Sequence, residues 1–272
     1  MRRAVPELPE VETVARGLRR VLPGRRVLRV WTSGLALRAP VDRAALRRLV
    51  GRAFCAVRRR GKYLLLDLDD GHLLLVHLGM TGRLLVHRGA RPPYAHVGLA
   101  LDRGTLHFCD ARRFGLVRVY DRHAPPPAEI AALGPDALDA LTTDHLASAC
   151  RGTRRRIKDV LLDQRVAAGV GNIYACEALF LAGVDPRRRA HRLSPSRVRR
   201  LHAALVRVLR AGVVGRGTTL RDFVDSDGRP GDYGQELRVY GRAGEPCRRC
   251  GRDVRRTVFG SRSSFFCAGC QK

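Results

Sequence analysis

Four cysteines near the end of the chain and a proline–glutamate pair near its start have types and spacings that could do chemistry. Cys247 and Cys250 stand three positions apart, as do Cys267 and Cys270, with 16 residues between the pairs. Two such pairs suit four thiolates closing a tetrahedron around one Zn2+, a site with no open coordination position and therefore a structural one. Two disulfides are the competing reading, and no secretory signal favours them. At the other end, Pro6 is followed by Glu7, with Glu10 and Glu12 close behind. A proline carrying a free amine is a nucleophile that can form a Schiff base, and an adjacent carboxylate can move the protons such a step requires. An α-amino group titrates at roughly 7.7–8.0, so about a tenth or more of it is neutral at pH 7. Met1 and the four residues Arg2, Arg3, Ala4 and Val5 precede Pro6, so its nitrogen stands in an amide. A translation start at Val5, with its GTG codon read as Met and that Met then removed, would leave Pro6 first.

These residues need elements to hold them. Residues 10–22 read as an amphipathic helix, with Val11, Val14, Leu18 and Val21 at helical spacing, Pro9 at its first turn and Gly24 ending it. Glu10 and Glu12 suit the positive end of that helix as dipole carboxylates. From about 26 to 120 short apolar runs (63–68, 73–78, 84–87, 96–101 and 116–120) alternate with turns such as Asp69-Asp70-Gly71 and Asp102-Arg103-Gly104. A short helix at 42–49 interrupts them, and the half reads as a β-sandwich. Ala124-Pro125-Pro126-Pro127-Ala128 is a stiff linker. Helical patterns follow at 144–150, 155–162, 173–181 and 194–211, then a Gly-rich stretch at 212–234. Between the cysteine pairs, residues 258–266 read as a β-hairpin with Arg262 at or near its tip. The expected organisation is a multidomain α+β protein: a sandwich at 6–123, a linker at 124–134, a helical domain at 135–235 and a zinc finger at 236–272.

The chain of 272 residues carries 52 Lys+Arg against 25 Asp+Glu, a formal charge of +27. An excess this large points to a polyanionic partner. No apolar run is long enough to span a bilayer, and Met1-Arg2-Arg3 leads into no apolar signal core, so a cytoplasmic protein is expected. Only Lys62, Lys158 and Lys272 are lysines, which leaves 49 arginines and draws attention to the lysines that remain. Cys55, Cys109, Cys150 and Cys176 show no ligand spacing and read as reduced core residues.

The segment Pro6 to Glu12, PELPEVE, resembles the opening of the formamidopyrimidine-DNA glycosylase family. The resemblance continues in order through Gly61-Lys62-Tyr63-Leu64-Leu65, His77-Leu78-Gly79-Met80-Thr81-Gly82, and Asp110-Ala111-Arg112-Arg113-Phe114-Gly115, where the family's proline is Ala111. It extends to Gly169-Val170-Gly171-Asn172-Ile173-Tyr174-Ala175, which is similar to the family's helix–two-turn–helix signature. Thr218-Thr219-Leu220-Arg221-Asp222-Phe223 and the segment from Gln235 to Arg242 follow, ahead of the cysteines. In many members lysine stands at the position of Arg221.

The resemblance implies base excision from duplex DNA by a monomer, with duplex in a basic cleft between two domains and one structural Zn2+. It makes Pro6 the nucleophile, Glu7 the acid–base residue and Glu10 a supporting carboxylate. Met80, Arg112 and Phe114 would fill the space left by an extruded nucleotide, with Arg112 facing the orphaned base. Read alone, Met80 is a core filler and Phe114 a strand-end core residue. Lys62, Asn172 and Arg262 would clamp phosphates, His77 and Arg221 would join the DNA contacts, and residues 216–231 would form a lid over the flipped purine. Asn172 also reads as an ordinary helix cap, Lys158 equally as a DNA contact or a solvated helix face, and the lid as a plain Gly-rich surface loop. Two other functions stay open: an endonuclease VIII-like glycosylase for oxidised pyrimidines, and an inactive damage-binding protein if Pro6 stays in an amide.

Overall fold

The computed structural model describes residues 5–219 and 229–272, which fall into two compact units. The first opens with helix α1 (Leu8–Val21) and continues through β1 (Val27–Thr32), α2 (Arg43–Arg47), β2 (Phe54–Arg60), β3 (Tyr63–Leu68), β4 (His72–His77), β5 (Arg83–His87), β6 (Ala95–Leu101), β7 (Thr105–Cys109), β8 (Leu116–Asp121) and the short α3 (Ala128–Ala131). The strands form two four-stranded antiparallel sheets, ordered β1-β6-β7-β5 and β2-β3-β4-β8. Alternate residues of each turn inward into one core: Leu64, Leu66, Leu74 and Val76 from one sheet, Leu99, Leu106 and Phe108 from the other. Val11, Val14 and Leu18 of α1 join that core, which anchors the helix whose N-terminus carries Pro6 and Glu7. Burying each such side chain contributes about 1.5–3 kcal/mol. Both expected hairpin turns are present, with Asp70 accepting from His72 N at 3.0 Å in the first.

The second unit holds α4 (Thr143–Arg151), α5 (Ile157–Leu162), α6 (Asn172–Ala182), α7 (Pro195–Val214) and the hairpin β9 (Arg255–Phe259) with β10 (Arg262–Phe266). Helix α5 begins two residues later than its pattern suggests. The Arg155 carbonyl accepts from Ala190 N, and Ile157 N donates to Arg188 O, so that backbone is committed outside the helix. Val198, Leu201, Leu205, Val208 and Leu209 form the buried stripe of α7, as their spacing predicts. Glu177, fully buried on α6, accepts from the N–H groups of Arg238, Val239 and Tyr240, each at 2.9 Å, and so ties the helix to the segment entering the cysteine module. The described residues within 215–232 pack with the first unit rather than the second. Among the described residues no helix is long and apolar enough to cross a membrane.

Candidate active site and nucleic-acid interface

The start of α1 is built as a reciprocal cap. Glu7 is the N-cap residue and its side chain takes the N3 backbone N–H, while Glu10 Oε2 accepts from Glu7 N at 2.9 Å. Both glutamates are buried, at 3% and 2% exposure, so the pair is held rigidly beside Pro6. The other oxygen of Glu10 accepts from Thr218 N at 2.6 Å. Gly217 permits that approach: its φ is +82°, and a Cβ there would stand 2.9 Å from Glu10 Cγ. The segment expected to form a lid is thus tied at its root to the proline corner. Residues 220–228, including Arg221, lie outside the described residues.

Glu12 is more than a dipole carboxylate. It sits one turn too deep in α1 for that role and is clamped by three guanidinium groups: Arg16 at 3.2 Å, Arg19 at 2.7 Å and Arg59 at 3.0 Å. Although its burial opposes charge, the Arg19 and Arg59 guanidinium groups hold its carboxyl below the usual carboxylate range. Arg59 also donates to Gly61 O in the β2–β3 turn that presents Lys62. His77, at the end of β4, stacks obliquely on Tyr63 with ring centroids 4.8 Å apart, and its Nδ1 accepts from Gly79 N at 3.0 Å. Desolvation, aided by the charges of Arg38 and Lys62, drives its pKa down to about 4, so the ring is neutral at pH 7 and carries its proton on Nε2.

Met80, Arg112 and Phe114 meet at one surface of the first unit. Arg112 NH1 lies 3.4 Å from Met80 Sδ, and its guanidinium carbon sits 4.6 Å above the Phe114 ring. Phe114 is 46% exposed, which sets aside its reading as a core residue. The two loops that carry them touch through backbone. A Cβ at Gly79 would stand 2.6 Å from Gly115 N, so only glycine fits there. Asp110, fully buried, fixes the arrangement by accepting from Thr81 Oγ1, from Arg112 N at 3.2 Å and from Gly115 N at 2.7 Å. In the sequence Asp110 and Thr81 stand only as parts of two separate motifs, and nothing there marks this anchoring role.

In the second unit the glycine turn before α6 is pinned by Gln164, whose Nε2 donates to Val170 O and whose Oε1 accepts from Gly169 N, both at 2.9 Å. Asn172 follows as the first helical residue. Gly171 is the cap, so Asn172 is no cap; its Nδ2 instead donates to Ser263 O at 3.0 Å. Among the described residues no partner faces its buried Oδ1. Lys158 departs from both sequence readings, because it is 1% exposed and lies on no solvated face. Its Nζ donates to Ser263 O at 2.8 Å and Ser264 Oγ at 2.7 Å, directly beside Arg262. Lys158 and Asn172 therefore converge on the hairpin strand that begins with Arg262, which is itself exposed after the Gly260–Ser261 turn.

The four Sγ atoms of Cys247, Cys250, Cys267 and Cys270 lie within 4.8 Å of one another. Cys247 and Cys270 are 3.9 Å apart and Cys250 and Cys267 3.4 Å. These distances match the edge of about 3.8 Å that a Zn–S length near 2.3 Å gives a tetrahedron, and exceed the roughly 2.05 Å of a disulfide. The residues therefore fit a zinc ion. Cys109, Cys150 and Cys176 are buried as expected, whereas Cys55 is exposed in β2, at the register shift between Phe54 and Ala56.

Two antiparallel sheets on one core, a glycine-turn helix pair and a four-cysteine hairpin define a zinc-finger protein of the helix–two-turn–helix class. Residues 5–117 match the formamidopyrimidine-DNA glycosylase N-terminal domain, 133–224 the corresponding H2TH domain, and 244–272 the zinc finger found in FPG and IleRS. The chain is 44% identical to a formamidopyrimidine-DNA glycosylase of Xanthomonas campestris and 45% identical to one of Syntrophotalea carbinolica, each match spanning 98% of this chain and all of the relative. Among solved structures, the MutM (FPG) protein of Thermus thermophilus superposes with a TM-score of 0.89 at 41% identity, over 98% of both chains. A Lactococcus lactis FPG variant, in complex with DNA containing Fapy-dG, superposes at 0.90 and 30% identity, over 98% of this chain and 100% of that one. The chain belongs to the formamidopyrimidine-DNA glycosylase family.

Proposed function

We propose that the protein excises oxidised purines, 8-oxoguanine and formamidopyrimidines, from duplex DNA and then cuts the strand at the resulting abasic site. The observation that carries this reading is the buried Glu7–Glu10 pair locked against Pro6 at the head of α1. With its amine freed, Pro6 N attacks C1′ of the damaged nucleotide. The C1′–base bond breaks and the base leaves with its electron pair. Glu7 protonates the ring oxygen as the sugar opens, leaving an iminium between Pro6 and C1′. Loss of a C2′ proton then expels the 3′ phosphate, a further elimination expels the 5′ phosphate, and water releases the sugar fragment from Pro6. Glu10 holds the corner and the lid root together.

Extruding the nucleotide costs a few kcal/mol, and Met80, Arg112 and Phe114 offset this by filling the vacated stack. Lys62 and His77 in the first unit and Asn172 and Arg262 in the second serve the DNA backbone, with Arg221 as a further contact. Lys158 serves it through the hairpin it holds. The four cysteines would hold one Zn2+ that keeps the Arg262 hairpin rigid, a structural task since four thiolates leave no open position. The protein acts as a monomer in the bacterial cytoplasm, in domains bounded at 6–123, 135–235 and 236–272, except that the described residues within 215–232 belong with the first of them. The solved relatives from Lactococcus lactis include complexes with Fapy-dG DNA and with abasic-site DNA, which supports both halves of the reaction.

One observation favours a second reading: Pro6 N is bonded to Val5, so a chain keeping residues 1–5 would bind damage without cutting. Excision assays on duplexes with 8-oxoguanine opposite cytosine and with thymine glycol opposite adenine test the proposal. It requires faster release of 8-oxoguanine; preferred release of thymine glycol would assign the protein to oxidised pyrimidines.

A further inference from the structure

Arg59 is one of three arginines on Glu12, and the one of the three whose side chain is buried, at 2% exposure against 55% for Arg16 and 39% for Arg19. Its guanidinium faces two ways. Nε donates to Glu12 Oε2 at 3.0 Å, and NH1 donates to Gly61 O at 3.2 Å. Burying a guanidinium is costly unless its charge is paired and its donors are used, and these bonds supply both. The exposed pairs Arg16–Glu12 and Arg19–Glu12 add little beyond keeping Glu12 charged.

The carbonyl that Arg59 grips belongs to the peptide unit joining Gly61 to Lys62. That unit is planar, so fixing its oxygen also fixes the direction of the Lys62 N–H and the place of the Lys62 Cα from which the side chain departs. Gly61 has a φ of +58°, a conformation that glycine adopts at little cost. Glu12 lies on the same helix as the capped Glu7–Glu10 pair. Glu12 and Arg59 thus form a strut from the helix that bears Pro6 to the turn that bears Lys62.

We infer that Arg59, braced by Glu12, is a positioning residue that sets Lys62 on a DNA phosphate at a fixed reach from Pro6. This rests on the proposed role of Lys62 as a phosphate contact. Lysine at position 59 keeps the positive charge but has no planar fork with which to bridge Glu12 and Gly61 O together.

The test is a double-mutant cycle of Arg59→Lys and Lys62→Ala, reading equilibrium binding to a lesion-containing duplex as a function of salt. Losing one phosphate contact lowers the slope of log K against log salt by about 0.9. Lys62→Ala is expected to show that loss with a several-fold drop in affinity. Arg59→Lys is expected to show the same slope change although the net charge is unchanged, and to add nothing in the Lys62→Ala background. Glu12→Gln, measured in parallel, should repeat the Arg59→Lys result, and Arg16→Gln should retain the wild-type slope. If Lys62→Ala leaves the slope unchanged, the phosphate role of Lys62 fails. If Lys62→Ala lowers the slope but folded Arg59→Lys keeps the wild-type value, or if the two losses add, the strut is overturned.

Discussion

Thr218 N donates to Glu10 Oε1 at 2.6 Å across 208 residues of chain, while the other oxygen of the same carboxylate takes the N–H of Glu7. One side chain thereby joins the root of the 220–228 segment to the residue beside Pro6. Glu10→Gln keeps the shape but offers a single acceptor oxygen for two N–H groups. Its excision rate on 8-oxoguanine is expected to fall about 10–100-fold, since loss of one charge-assisted hydrogen bond in a preorganised site costs about 1.5–3 kcal/mol. Affinity for a duplex with an abasic-site analogue should stay within a few-fold of wild type. Single-turnover kinetics beside equilibrium binding check this; a loss confined to affinity would contradict it. Gly217→Ala should have a similar effect, because it forces φ +82° on a residue with a Cβ and crowds Glu10.

Lys158 is expected to act through the protein rather than through DNA. Lys158→Met removes the donor to Ser263 O and Ser264 Oγ while keeping similar bulk; Ser263 O keeps its bond from Asn172 Nδ2, but the buried Ser264 Oγ loses its charged donor. A loss of about 2–3 kcal/mol follows, enough to lower the thermal midpoint by several degrees. Faster amide hydrogen exchange along β10 should accompany it. An unchanged midpoint and unchanged exchange would return Lys158 to the surface.

His77 gives stability a pH dependence with a defined sign. The unfolded imidazole takes up its proton near the ordinary 6.5, and the folded ring only at about 4. Between those values unfolding binds a proton, so stability falls as pH drops through that window and this contribution is level on either side. In His77→Gln the decline of urea midpoints between pH 6.5 and 4 should be shallower than in wild type. An identical decline would show that His77 does not govern it.

What the sequence reveals and what it hides divide along chain separation. The sheets follow from short apolar runs bounded by turns, α1 from helical spacing, and the metal site from two short cysteine pairs, all signals carried within a few residues. Glu12 with Arg59 spans 47 positions, Thr81 with Asp110 spans 29, and Lys158 with Ser264 spans 106. No local pattern announces such pairs, so Glu12 reads as a dipole carboxylate and Lys158 as a surface group until the fold brings their partners close. Cys55 is different: it falls where the register of β2 shifts between Phe54 and Ala56, so Phe54 and Val57 both turn inward and no simple alternation marks Cys55 as exposed. Gln164 could be anticipated, because a glycine turn left without side chains of its own needs acceptors and donors from nearby residues to pin it.

Pro6, freed as an amine, is the proposed nucleophile. The protein purified from its native host is incubated with a duplex bearing 8-oxoguanine opposite cytosine in the presence of borohydride, and the adduct is mapped by mass spectrometry. The expected result is a reduced covalent link between C1′ of the lesion sugar and an N-terminal Pro6. A protein that binds the same duplex, keeps residues ahead of Pro6 and yields no adduct would contradict the account.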